Sequence, residues 1–141
     1  MTQFTIKKVS GIKEEDTLRE LQDQCFGPKL YYPTSKGLWW IVYNENNKPV
    51  GFAGLKILQY KESYLCRAGI LKEARGNNLQ VRLIKIREKA AKRLDCNLIV
   101  TDTSKENFAS ANNLIKAGFQ LYDPVYRWGF KDGLYWKKEL T

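Results

Sequence analysis

The sequence predicts a mixed α/β sheet of about seven strands with helices on both faces. Three observations predict it. Short runs rich in β-branched and aromatic residues recur along the chain. Turn chemistry joins the early runs into hairpins. The later half follows a strand–helix–strand–helix order. At 141 residues the chain suits one domain, residues 1–141, around one core.

The elements follow in order. Phe4–Val9 alternates apolar and polar residues and reads as a first strand. Glu14–Cys25 places Leu18 and Leu21 on one face of a short amphipathic helix. GPKLYYPTSKG, residues 27–37, holds two glycines and two prolines and reads as a loop or broken helix. Leu38–Tyr43 and Val50–Gln59 read as strands, with turn residues Asn44–Lys48 between them. Tyr64–Leu71 is a fourth strand. Leu79, Leu83, Ile86, Ala90 and Leu94 then recur at helical spacing, while Arg82, Lys85, Lys89, Lys92 and Arg93 fall mostly on other faces. Asn97–Thr101 is a short apolar strand. Phe108–Ala117 is a helix that stops at Gly118. Phe119–Tyr122 and Leu134–Leu140 read as the last strands, around the aromatic loop YDPVYRWGFKDG.

Composition narrows the chemistry. The net charge of +9 favours polyanionic or phosphorylated partners, and solubility alone explains it equally well. Three cysteines without CxxC spacing argue against a disulfide framework or a zinc site, so no metal is expected. Cys66 and Cys96 read as small core residues. With no histidine, every Ser-His or Cys-His nucleophilic mechanism is excluded. Leu38–Tyr43, the longest strongly apolar stretch, is far too short to span a membrane. The opening MTQFTIKK lacks the apolar core of a signal peptide, and a soluble cytoplasmic protein is expected.

The stretch EARGNNLQVRL, residues 73–83, carries the sharpest signal. A strand, a turn and then a helix expose the helix's first N–H groups, which bind anions together with the positive end of the dipole. Arg75 adds a charge and Gly76 lets a ligand approach the backbone. A helix capped by Asn77 or Asn78 explains the same residues.

From about Val50 to Phe119 the chain resembles the GNAT superfamily of acyl-CoA-dependent N-acetyltransferases. That family's signature is Arg or Gln, two variable residues, Gly, one variable residue, then Gly or Ala. Arg75, Gly76, Asn77, Asn78, Leu79 and Gln80 stand at this place, with Asn78 at the central glycine and Gln80 at the small residue. The resemblance implies that these six residues bind the pyrophosphate of acetyl-CoA, the expected co-substrate. Asn tolerates positive φ at a cost of about 1 kcal/mol over glycine, which weakens the turn without abolishing it. The resemblance further implies that the backbone of Ala68, Gly69 and Ile70 pairs with the pantetheine arm. Small residues there suit core packing equally.

The stretch DTSKENFASANNLIKAGF, residues 102–119, resembles the family's second motif. It implies a CoA contact for Asn107, which also suits a helix N-cap. Asp102 and Glu62 are the implied candidates for general base, and both are readable as solvated strand-end charges. The family's tyrosine acid is replaced by Leu114, with Tyr122 and Tyr126 as stand-ins. Tyr31, Tyr32, Tyr126 and Trp128, with Tyr135, occupy the regions that bind the acceptor, implied to be an amine on a small molecule or protein. The implied activity is direct acetyl transfer. The rival readings are a CoA-binding regulator without turnover and a basic nucleic-acid-binding module, the latter less favoured. A homodimer stays open.

Overall fold

The structure is a computed structural model that describes residues 3–141. Among the described residues seven strands and three α-helices follow one another: β1 (Thr5–Val9), α1 (Glu15–Phe26), β2 (Leu38–Tyr43), β3 (Pro49–Ile57), β4 (Glu62–Ile70), α2 (Leu79–Arg93), β5 (Leu98–Thr103), α3 (Phe108–Lys116), β6 (Gln120–Tyr122) and β7 (Leu134–Glu139). A 3-10 turn at Lys72–Ala74 precedes α2. The sheet order is β1-β2-β3-β4-β5-β7-β6, and β4 runs parallel to β5. The mixed α/β sheet expected from the sequence is therefore present. No helix is long and apolar enough to cross a membrane among the described residues.

The chain divides into two compact units, Met1–Lys56 with Cys66–Leu83, and Ile57–Leu65 with Ile84–Thr141. In the first unit, β1, β2 and β3 form an antiparallel ladder, from Thr5↔Tyr43 on one side of β2 to Leu38↔Leu55 on the other. The Asn44 side chain closes the β2–β3 turn by accepting the N–H groups of Asn46 and Lys48. The core gathers Leu18 and Leu21 from α1 with Trp39, Ile41, Phe52 and Leu55 from the sheet. Gln22, fully buried on α1, donates to the Tyr32 carbonyl and accepts the Tyr32 N–H at 3.0 and 2.7 Å. The 27–37 segment is thus a loop pinned to the core, as its backbone polar groups need partners.

In the second unit, β5 pairs with β7 from Leu98↔Glu139 to Thr103↔Leu134, and β6 adds the outer edge. The β4–β5 ladder is short, from Glu62↔Leu98 to Tyr64↔Val100. At the next position the Thr101 hydroxyl donates to the Leu65 carbonyl at 2.9 Å in a buried setting. Lys138 on β7 donates to both carboxylate oxygens of Glu88 and to the Ala117 carbonyl. Leu114 is a core residue of α3.

Three expectations shift. Leu94 lies beyond the end of α2 and is 52% exposed, because the helix ends at Arg93 and the chain turns through Asp95 at φ 64. Cys66 is half-buried rather than a core residue, whereas Cys96 is buried as expected. β4 also begins at Glu62, two residues earlier than the apolar pattern suggests, because Glu62 and Ser63 pair with Leu98 and Ile99.

Glu88 is largely buried, so the Lys138 ammonium is its main compensation. Lys138→Ala is expected to cost about 1–3 kcal/mol in urea unfolding. The double variant Lys138→Met with Glu88→Met should recover most of it.

Candidate active site

The turn before α2 is built by two left-handed residues, Gly76 at φ 84 and Asn78 at φ 58. A Cβ on Gly76 would meet nothing within 4 Å, so glycine serves its backbone angle there and the space beside it is open to a ligand. Asn78 adopts the left-handed conformation expected of a glycine substitute, and its carbonyl accepts the Arg82 N–H to open α2. Asn77 does not cap α2. Its amide donates to the carbonyls of Ala74 and Arg75, closing the turn from the preceding side. The first turn of α2 carries no acidic residue, unlike α1 with Glu15 and Asp16. Its N–H groups and dipole are therefore not offset by a local carboxylate.

The other residues of this region have distinct settings. Arg75 is exposed, and its Nε donates to the Ile70 carbonyl at 3.1 Å, which holds the side chain along the end of β4. Leu79 is buried, and Gln80 is half-buried. Gly69 is needed for packing, since a Cβ there would lie 2.8 Å from Cys25 Sγ and 3.0 Å from the Phe52 ring. Burial raises the Cys25 thiol pKa and the nearby Arg75 charge partly offsets it. Ala68 is half-buried and Ile70 buried.

The first unit also holds a cavity of about 250 Å³, lined by Tyr32, Pro33, Ser35, Lys36, Lys56 and Cys66. Tyr32 thus faces a cavity, whereas the Tyr31 ring packs under the Arg19 guanidinium at 3.9 Å. Burial foremost raises the Tyr32 pKa, Cys66 adds to that rise, and Arg67 opposes it.

In the second unit the registers Asp102↔Tyr135 and Tyr122↔Tyr135 put three polar side chains in adjacent positions. Asp102 accepts the Tyr64 hydroxyl at 3.3 Å and the Phe130 N–H at 3.0 Å. The loop after β6 crosses the carboxylate so closely that a Cβ on Gly129 would collide with Asp102 Oδ2. Tyr135 accepts the Gly129 N–H and donates to the Phe130 carbonyl. Arg127 donates to the carbonyls of Lys131 and Gly133 and lies over the Tyr135 ring. Trp128 packs edge-on against Tyr64 and Tyr135 at 5.5 and 4.9 Å between ring centres.

The structure sorts the expected aromatics. Trp128 joins this cluster, while Tyr126 is 76% exposed. Tyr122 is held protonated. Its pKa is raised first by burial; a hydrogen bond with Trp128 opposes this, and the charges of Glu62, Tyr135 and Asp102 raise it further. Tyr122 and Asp102 both stand opposite Tyr135, one on each side of β7. Among the described residues Glu62's carboxylate has no hydrogen bond or ion pair. Asn107 is the α3 N-cap, its side-chain oxygen accepting the Ser110 N–H at 3.2 Å. Tyr64 was missed by the sequence reading, although strand alternation sets it on the face of Glu62. Gly129 gives no such signal. No cluster of three or more metal-ligating side chains occurs among the described residues.

The family model described as "Acetyltransferase (GNAT) family" matches residues 7–119. The chain belongs to the GNAT acetyltransferase family. Solved structures agree in fold. A GNAT-family acetyltransferase from Staphylococcus aureus is 18% identical, with 99% of this chain and 100% of that one covered at a TM-score of 0.78. A candidate streptothricin acetyltransferase from Bacillus anthracis, solved with acetyl coenzyme A, is 18% identical, with 99% of each chain covered at 0.74. The Escherichia coli ribosomal-protein-S18-alanine N-acetyltransferase is 11% identical, with 97% and 94% covered at 0.76. No curated protein matches the sequence. At these identities the structural likeness speaks for the fold of this GNAT chain.

Two outcomes follow from the site's local physics. Asn78→Gly is expected to stabilise the chain by about 1 kcal/mol and Asn78→Val to destabilise it, both read in urea unfolding. Tyr122 should titrate above pH 10 in phenolate absorbance, as the difference between wild type and Tyr122→Phe. Since its folded pKa is raised, its share of stability is complete below the unfolded value and is lost as pH climbs toward the folded one. Tyr122→Phe should therefore lose less stability across that alkaline range than wild type does.

Proposed function

We propose that this GNAT chain moves an acetyl group from acetyl-CoA directly to a primary amine of a small molecule or protein. The observation that carries the reading is the turn at Gly76–Asn78, which keeps its left-handed backbone although an asparagine stands at the glycine position. The whole chain is taken to act as one domain, since the family model runs through residues of both units.

When bound, acetyl-CoA supplies an activated thioester. The N–H groups of Gly76–Gln80 and the Arg75 guanidinium bind its pyrophosphate in this reading. The backbone of Ala68, Gly69 and Ile70 receives the pantetheine arm, and the Asn107 amide gives a further donor. Asp102 or Glu62 takes the proton of the amine, directly or through water. Tyr122, kept protonated, gives a proton to the departing thiolate in place of Leu114, which has none to give. The absence of histidine leaves no Cys-His pair for an acyl-enzyme, so the amine attacks the thioester itself.

Acetyl-CoA at millimolar concentration is expected to raise the melting temperature. Thiol release should follow with some members of a broad amine panel. Arg75→Ala should weaken CoA binding by roughly an order of magnitude, one charge-assisted contact. Asp102→Asn should lower turnover far more than CoA affinity and flatten the acid limb of the pH profile if Asp102 is the base. An unchanged profile would hand that role to Glu62. No thermal shift and no thiol release would overturn the reading, and a shift without release would leave a CoA-binding protein that does not turn over.

A further inference from the structure

The cavity in the first unit carries charge of one sign. Two of its six lining residues, Lys36 and Lys56, are cations, and no carboxylate lines it. Neither lysine has an ion pair among the described residues, whereas Lys48, Lys61 and Lys138 do. Both lysines are exposed.

The walls are fixed in place. Gln22 holds the Tyr32 backbone from inside the core, as described above. Thr34, also buried, donates to the Gly11 carbonyl at 2.7 Å, so the segment between Tyr32 and Lys36 has two anchors. Trp39 donates its indole N–H to the Lys36 carbonyl at 2.8 Å, which sets where the Lys36 side chain starts. Gly37 at φ 86 brings the chain against the Leu55 carbonyl, where a Cβ would fall 2.9 Å away, and Lys56 follows immediately on β3. The two lysines thus come from backbones locked to one another. Ser35 adds a hydroxyl donor, while the Tyr32 hydroxyl is engaged with Cys66. Pro33 and the thiol of Cys66 make the remaining wall less polar.

We infer that this cavity binds an anionic group on the acceptor, so that the acceptor is a small amine bearing a carboxylate or a phosphoryl group, held by Lys36 and Lys56. This rests on the acetyltransferase reading. The size agrees: about 250 Å³ is the liquid volume of roughly eight waters, enough for a small amino acid or phosphoamine. Carboxylate and phosphoryl oxygens both accept from ammonium donors, and an anion in this cavity is attracted by both lysines.

The experiment pairs amines that differ in the anion alone: β-alanine against propylamine, and phosphoethanolamine against ethanolamine. kcat/KM for acetylation is measured for each, and the two anionic amines are also titrated calorimetrically onto the protein without acetyl-CoA. At least one anionic member should exceed its neutral mate at least tenfold, and the pair that shows it separates carboxylate from phosphoryl recognition. In Lys36→Ala/Lys56→Ala that ratio should fall toward one and the calorimetric affinity drop at least tenfold, while Lys36→Arg/Lys56→Arg retains both. Raising the salt concentration should weaken the anionic amine's binding. Equal kcat/KM within both pairs, or an affinity untouched by the alanine double variant, overturns the inference while acetyl transfer stands. Calorimetric binding lost in that variant, with no acetylation of any amine, supports the anion site and removes the transferase reading. No binding of either anionic amine overturns the inference whatever the turnover.

Discussion

The left-handed turn at Gly76 and Asn78 is the constraint on which the rest of the first unit's chemistry depends. With φ at 84 and 58, the chain leaves β4, passes one 3-10 turn and enters α2 with no acidic residue in that helix's first turn. Glycine pays little for such angles, and asparagine is among the least penalised of the other residues. Asn77 supports the same geometry by closing the turn on the carbonyls of Ala74 and Arg75. Arg75 is directed by its bond to the Ile70 carbonyl, which ties the turn to the end of β4 where the proposal seats the pyrophosphate.

The second unit solves a different problem. Asp102 lies near the end of β5, and the sequence reads it as either a solvated charge or a base. Its carboxylate instead takes the Phe130 N–H and the Tyr64 hydroxyl and carries the Gly129 backbone across it. Those contacts fix the aromatic loop, and with it Trp128 against Tyr64 and Tyr135. A base in this setting must keep a lone pair for the amine while anchoring a loop. In the proposed reaction Glu62 is the alternative base, and Tyr122, its pKa raised first by burial, is the proposed acid.

Much of the fold was legible because periodicity and turn chemistry report it directly. Strand runs, the β2–β3 turn and the faces of α2 follow from side-chain spacing. Element ends were less legible: Leu94 continues the apolar spacing, yet the helix stops one residue before it. The candidate site was legible where a local motif exists, at Arg75–Gln80 and at Asn107. It was illegible where long-range register decides. Tyr64 reaches Asp102 across 38 positions, and at Gly129 a side chain would collide with that carboxylate. Gly69 illustrates the reverse: its small size looked suited to a ligand or to packing, and Cys25 and Phe52 account for it.

The central claim is that an asparagine-bearing turn still holds the pyrophosphate of CoA. The most direct measurement is backbone amide NMR during titration with acetyl-CoA. The N–H resonances of Gly76 to Val81 should move and saturate together, since those donors face the anion. Saturable shifts confined to other residues, or no shifts at millimolar ligand, would contradict the account.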